Sequence, residues 1–146
     1  MGNLNFFKKS IARDNMLKPK KSTKVVFNSL VLIATMLSII RWASVLNSNI
    51  VVINTEINSH ITNFSLSLVF YLGVGFTWML QKISFKKIIL LGLLIVIANI
   101  LCETIMGFMN TTDIIDAIYG IVGTLISFCF LLVVNKYGLE SIYDES

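Results

Sequence analysis

Residues 98–127 read ANILCETIMGFMNTTDIIDAIYGIVGTLIS. Two apolar runs meet at a short polar turn, one ending near Met109 and the other beginning near Ile114. Glu103, Asp113 and Asp116 crowd around that turn. An unpaired carboxylate beside hydrocarbon costs several kcal/mol, so three of them in such a stretch call for a physical reason.

The rest of the chain is just as apolar. Its 146 residues are 55% hydrophobic and 14% charged, with a mean hydropathy of +0.80. An ordinary soluble domain carries roughly 25% charged residues. A soluble protein of this composition could not cover its surface with polar groups. The chain therefore reads as an integral membrane protein of one compact domain.

Apolar runs over residues 25–46, 61–80, 88–109 and 114–134 each approach the roughly 20 residues that cross a bilayer. Backbone in hydrocarbon must satisfy its own hydrogen bonds, so the runs are predicted helices. The alternation of a membrane barrel is absent. The expected fold is all-α, a four-helix transmembrane bundle over residues 25–135. A basic cytoplasmic segment, 1–24, precedes it, and a short, loose cytoplasmic tail, 136–146, follows. Residues 4–12 could form an interfacial helix, and Lys18-Pro19-Lys20 should end any helix there. The first apolar run is longer than a signal core and no small-x-small cleavage site follows it, so it reads as a retained span.

Charge orients the spans. Lys8, Lys9, Arg13, Lys18, Lys20, Lys21 and Lys24 precede the first; Lys82, Lys86 and Lys87 follow the second; Lys136 follows the fourth. The other two connections carry neither Lys nor Arg. The positive-inside rule then puts both termini and the 2–3 loop in the cytoplasm. The basic segment reads as a topology signal resting on anionic headgroups, with no nucleic-acid partner. Cys102 and Cys129 lack CxxC spacing and read as packing residues. No phosphate loop, GxSxG or metal-ligand motif is present, so no cofactor or metal is expected.

In this frame five ionisable side chains fall in one outer layer: Arg41 in the first helix, His60 entering the second, Glu103 late in the third, and Asp113 and Asp116 entering the fourth. Arg41 and Glu103 lie about 24 and 22 Å along their runs at 1.5 Å per residue, which suggests an ion pair between the first and third helices. Each residue also has a plainer role. Asp113 can cap a helix, Asp116 can favour its dipole, Arg41 can snorkel to headgroups, and His60 can sit exposed at the interface. Glu103, within the apolar run, is the strongest candidate. On the fourth helix Asp113, Asp116, Gly120, Gly123 and Ser127 share roughly a quarter-turn arc. Gly120, Gly123 and Ser127 are expected to pack against another helix. Asn99, Glu103 and Met106 share one face of the third helix, and His60, Ser67 and Tyr71 share one face of the second.

The order of these residues resembles the VanZ-like family of bacterial membrane proteins across residues 59–130. The matching elements are His60 in SHITNFSLSLVFYLGVG, Glu103 in ANILCETIMGFM, and Asp113, Asp116 and Gly123 in TTDIIDAIYGIVGTLIS. The family's Gln after the Glu is Met106 here, its Asn in the last helix is Gly120, its second glycine is Ser127, and the Arg before its first Asp is missing. The resemblance implies a plasma-membrane protein of the bacterial cell envelope, associated with reduced susceptibility to lipoglycopeptide antibiotics such as teicoplanin. The expected partners are the bilayer, envelope lipid headgroups, a membrane protein or a second copy of the chain. The leading reading is non-enzymatic. The alternatives are an enzyme on a lipid-linked substrate, a small transporter, or an immunity-type partner protein.

Overall fold

A computed structural model describes residues 17–46, 54–105 and 113–141. It has four long helices: α1 (Lys21–Leu46), α2 (Thr55–Leu80), α3 (Phe85–Ile105) and α4 (Ile114–Val133). All four are long and apolar enough to cross a membrane. The chain is a multi-pass membrane protein with an all-α four-helix fold. The expected interfacial helix over 4–12, the polar turn before Asp113 and the last five residues lie outside the described residues.

Helix boundaries follow local chemistry more closely than hydropathy. α2 begins at Thr55, six residues before the apolar run, because Asn54 in an extended conformation accepts from the Ile57 N–H at 2.7 Å. That side chain satisfies one of the unpaired donors of the first turn. His60 consequently sits in the second turn, inside the helix and not at its entrance. α2 ends in a Schellman-type turn, with Lys82 at φ 57°. The Lys82 N–H donates to the Met79 carbonyl and the Ile83 N–H to the Trp78 carbonyl. Pro19 lies in an extended segment and α1 starts two residues later.

α2 and α4 form the centre. Buried residues make up 44% of the spanning window of α2 and 39% of that of α4, against 6% for α1 and 11% for α3. α1 packs mainly on α2, and α3 packs mainly on α4. α1 and α3 thus occupy opposite flanks of the central pair.

Small and hydroxyl residues bring α2 and α4 together. A Cβ at Gly123 would run into the Phe64 carbonyl of α2. One turn on, Ser127 donates to the Leu68 carbonyl at 2.8 Å. Lipid gives helices no hydrophobic drive to associate, so close backbone approach and interhelical hydrogen bonds carry the interface. Gly120 gives room to the Asn99 amide of α3. Asn99 Nδ2 donates to Ser67 Oγ at 3.1 Å and to the Ile95 carbonyl at 3.0 Å. The buried Tyr71 hydroxyl ties α2 to α3 through the Ile88 carbonyl at 2.9 Å. Below this polar layer the core is apolar, built from Tyr71, Phe76, Met79, Ile88, Leu131 and Val134, with Phe27 stacked on Phe76 at 4.5 Å. Cys102 and Cys129 do not pack inside; both are exposed on the flank of the bundle.

The first and last described segments meet at one end of the bundle. A π-helical turn, Val134–Gly138, extends α4 and leads into strand β2 (Leu139–Ser141), which pairs antiparallel with β1 (Leu17–Pro19). The Gly138 carbonyl accepts from the Lys20 N–H at 3.0 Å and from Thr23 Oγ1 at 2.9 Å. The start of the tail, expected to be loose, is therefore clasped to the start of α1. This proximal end carries the basic loops. The opposite, distal end carries the starts of α2 and α4 and the ends of α1 and α3.

A methyl group at Gly123 meets fixed backbone, which cannot move aside as a side chain can. Gly123→Ala should destabilise the bundle by about 1–3 kcal/mol. Gly73, with nothing within 4 Å of its Cβ position, should gain up to about 1 kcal/mol of helix propensity as Gly73→Ala. Unfolding of both variants in mixed detergent micelles checks the opposite signs.

Candidate functional site: a histidine between two carboxylates

The α2–α4 seam delivers His60 to the first turn of α4. His60 is 6% exposed, and its Nδ1 lies 2.8 Å from Asp116 Oδ1. An ionised carboxylate only accepts, so in this contact Nδ1–H donates. His60 Nε2 then faces Asp113 Oδ2 at 3.8 Å. The Tyr119 ring lies against the imidazole, with centroids 5.4 Å apart.

Asp113 has two tasks. Its Oδ1 accepts from the Ile115 N–H at 3.0 Å, so it is the N-cap of α4. Its Oδ2 looks toward His60. Glu103, at the end of α3, makes a long 3.5 Å contact from Oε2 to the Asp113 N–H. All three carboxylates thus gather at the N-terminus of α4, where unpaired N–H groups and the helix dipole favour negative charge. This is the physical reason an apolar chain tolerates them. The exposure is graded: the Asp113 side chain is 40% accessible, Asp116 22% and His60 8%. The acids sit on the wet side of the cluster and the histidine on the dry side.

Arg41 does not join them. No ion pair links it to Glu103, although their depths match. Depth along a helix is one coordinate; α1 and α3 lie on opposite flanks of the central pair, and the second coordinate separates the two residues. Arg41 is half-buried on the α1–α2 seam. There Ser44 Oγ donates to the Arg41 carbonyl at 2.7 Å and accepts from Asn58 Nδ2 at 2.7 Å. Asn58 is 5% exposed, and its Oδ1 has no partner.

The structure therefore brings together His60, Asp113, Asp116 and, at its edge, Glu103, and leaves Arg41 apart. Sequence reasoning missed Tyr119, Asn58 and Ser44. Tyr119 had a readable signal, since it lies three residues after Asp116 on the same helical face. Ser44 and Asn58 had none, being lone polar residues at ordinary spacing. Among the described residues no group of three potential ligands is placed to hold a metal ion. The arrangement can present an oriented imidazole and a concentration of negative charge to a cationic or hydrogen-bonding ligand.

The His60–Asp116 contact should couple α2 to α4 energetically. Asp116→Ala leaves a buried imidazole N–H without an acceptor and should cost about 1–3 kcal/mol. Asp116→Asn keeps an acceptor and should cost less. The His60→Ala/Asp116→Ala double variant should lose less than the two single losses added, as groups in contact do. Detergent unfolding curves of the four proteins provide the cycle.

Searches with the sequence and with the structure matched no protein-family model, no curated protein and no solved structure.

Proposed function

We propose that this chain is a VanZ-like protein of the bacterial plasma membrane that modulates susceptibility to lipoglycopeptides or other surface-acting antibiotics. It acts without turnover, through a polar cluster facing outward. The observation that carries this reading is the 2.8 Å contact between His60 and Asp116, residues 56 apart in sequence. The residues on which the family resemblance rests are distant in sequence and adjacent in space. The positive-inside rule supports an outward orientation, because the distal end is the one whose connections carry no Lys or Arg. In this reading the cluster meets an envelope lipid headgroup, a cationic group of the antibiotic, or a membrane partner at the outer surface.

A second reading, an enzyme acting on a lipid-linked envelope substrate, has one observation in its favour. A buried imidazole held by a carboxylate is the arrangement that orients a general base. Comparison of lipid intermediates extracted from cells with and without the protein separates the two: an altered intermediate favours catalysis.

In a host that the wild-type chain protects, Glu103→Gln and Asp116→Asn at matched membrane levels should each return susceptibility to teicoplanin-type compounds several-fold toward the empty-vector value. Unchanged susceptibility in both variants sinks the proposal. Orientation is checked separately. In a Cys102→Ser/Cys129→Ser background, Thr111→Cys should react with an impermeant maleimide added to intact cells, and Lys86→Cys should react only after lysis.

A further inference from the structure

The distal end holds more acid than the histidine contact uses. Glu103 faces a cleft of about 700 Å³ between α3 and α4. Ile100 and Thr104 line its α3 wall, and Ile114, Ile118 and Ile121 line its α4 wall. Glu103 is the one ionisable residue in this lining. The Thr104 hydroxyl is turned back to the Ile100 carbonyl at 2.9 Å, so it offers the cleft no free donor. Among the described residues the Glu103 carboxylate makes only the long 3.5 Å contact to the Asp113 N–H, and no cation lies in ion-pair reach of it.

A second hollow lies deeper along the same faces of both helices. It is smaller, about 180 Å³, is lined by Ile89, Leu93 and Val96 of α3 and Leu125 and Phe128 of α4, and lies one to three turns deeper. From Glu103 to Ile89 is about 21 Å along α3, against a hydrocarbon core about 30 Å thick. Below that depth the helices close. Phe85 stacks on Phe128 at 6.4 Å, and Ile88 is fully buried in the core beside Leu131. A partner helix would need a groove running the whole span. An apolar track that stops short of the full span, with a carboxylate at its distal mouth, fits a single acyl chain with a positively charged headgroup.

We infer that the α3–α4 cleft binds one membrane lipid bearing a primary ammonium headgroup, an aminophospholipid, with its ammonium at Glu103 and one acyl chain along Ile100, Ile118 and Ile121. This rests on the reading that the distal end meets envelope lipids, and it names the lipid chemistry that end selects. The bound ammonium supplies the counter-charge that Glu103 lacks among the described residues. Asp113 and Asp116, turned to His60 and to the α4 cap, deepen the negative potential at the mouth without entering the cleft.

The test is native mass spectrometry of the purified full-length chain, released from micelles containing equal amounts of phosphatidylethanolamine and phosphatidylglycerol with matched acyl chains. The wild type should retain the phosphatidylethanolamine adduct at least several-fold over the phosphatidylglycerol adduct. Glu103→Gln, which keeps the side-chain shape, should bring the ratio to parity. Ile100→Trp, which fills the cleft from α3, should lose both adducts. Equal retention by the wild type, or an undiminished preference in Glu103→Gln, overturns the inference. A dimer without lipid adducts assigns the cleft to a second copy and overturns it as well. No antibiotic is present, so failure here leaves the susceptibility reading standing, and failure of that reading leaves a measured lipid preference intact.

Discussion

The close approach of α2 and α4 is the constraint on which the rest of the structure depends. In hydrocarbon two helices gain little by burying apolar surface against each other, since the lipid offers the same contacts. Association must come from backbones near enough for dense packing and from polar groups that find partners. Gly123 against the Phe64 carbonyl and Ser127 donating to the Leu68 carbonyl supply both. These contacts fix the register of α4 on α2, and the register brings Asp116 to His60. Slipping α4 by one residue would rotate its acids about 100° off the seam. The site is therefore a consequence of the packing motif lying two turns below it.

The distal cluster is then governed by electrostatics at a helix start. Two like charges 4 Å apart repel by about 4 kcal/mol at the effective dielectric near a protein surface. Three carboxylates can share one helix end only because the α4 dipole, the N-cap hydrogen bond and the neighbouring imidazole each offset part of that repulsion. Partial access to water offsets more, and the gradient of exposure from Asp113 through Asp116 to His60 follows that need.

Much of the fold is legible in the sequence because the solvent dictates it. A bilayer allows a chain of this kind only helices about 20 residues long, so four apolar runs announce four spans. The arc of Asp113, Asp116, Gly120, Gly123 and Ser127 is equally readable, since helical periodicity puts the acids and the small residues on one face. Neighbour relations are not readable in this way. Equal depth makes Arg41 and Glu103 look like partners, yet nothing in a linear order says which helices flank the central pair. Boundaries fail for a different reason. Hydropathy averages over many residues, whereas Asn54 starts α2 through one hydrogen bond. The loop-like tail composition likewise conceals the Gly138 carbonyl that clasps both the Lys20 N–H, just before α1, and the Thr23 hydroxyl within it.

Below His60 the character of the polar groups changes. Ser67 and Asn99 bond each other, Ser127 and Tyr71 donate to backbone carbonyls, and Thr124 returns to the Gly120 carbonyl at 2.9 Å. Each is a neutral group whose hydrogen bond is spent on holding helices together or within its own helix. None is a carboxylate, imidazole or amine, and deeper still the centre is filled by aromatic and aliphatic side chains. Among the described residues, the acids and the histidine of the spans thus gather near the distal end, the lysines of α1 and α3 sit at the proximal end, and the layer between them holds no carboxylate, imidazole or amine. An activity at one surface, as proposed, needs ionisable groups only there, whereas coupled transport needs them in series across the membrane.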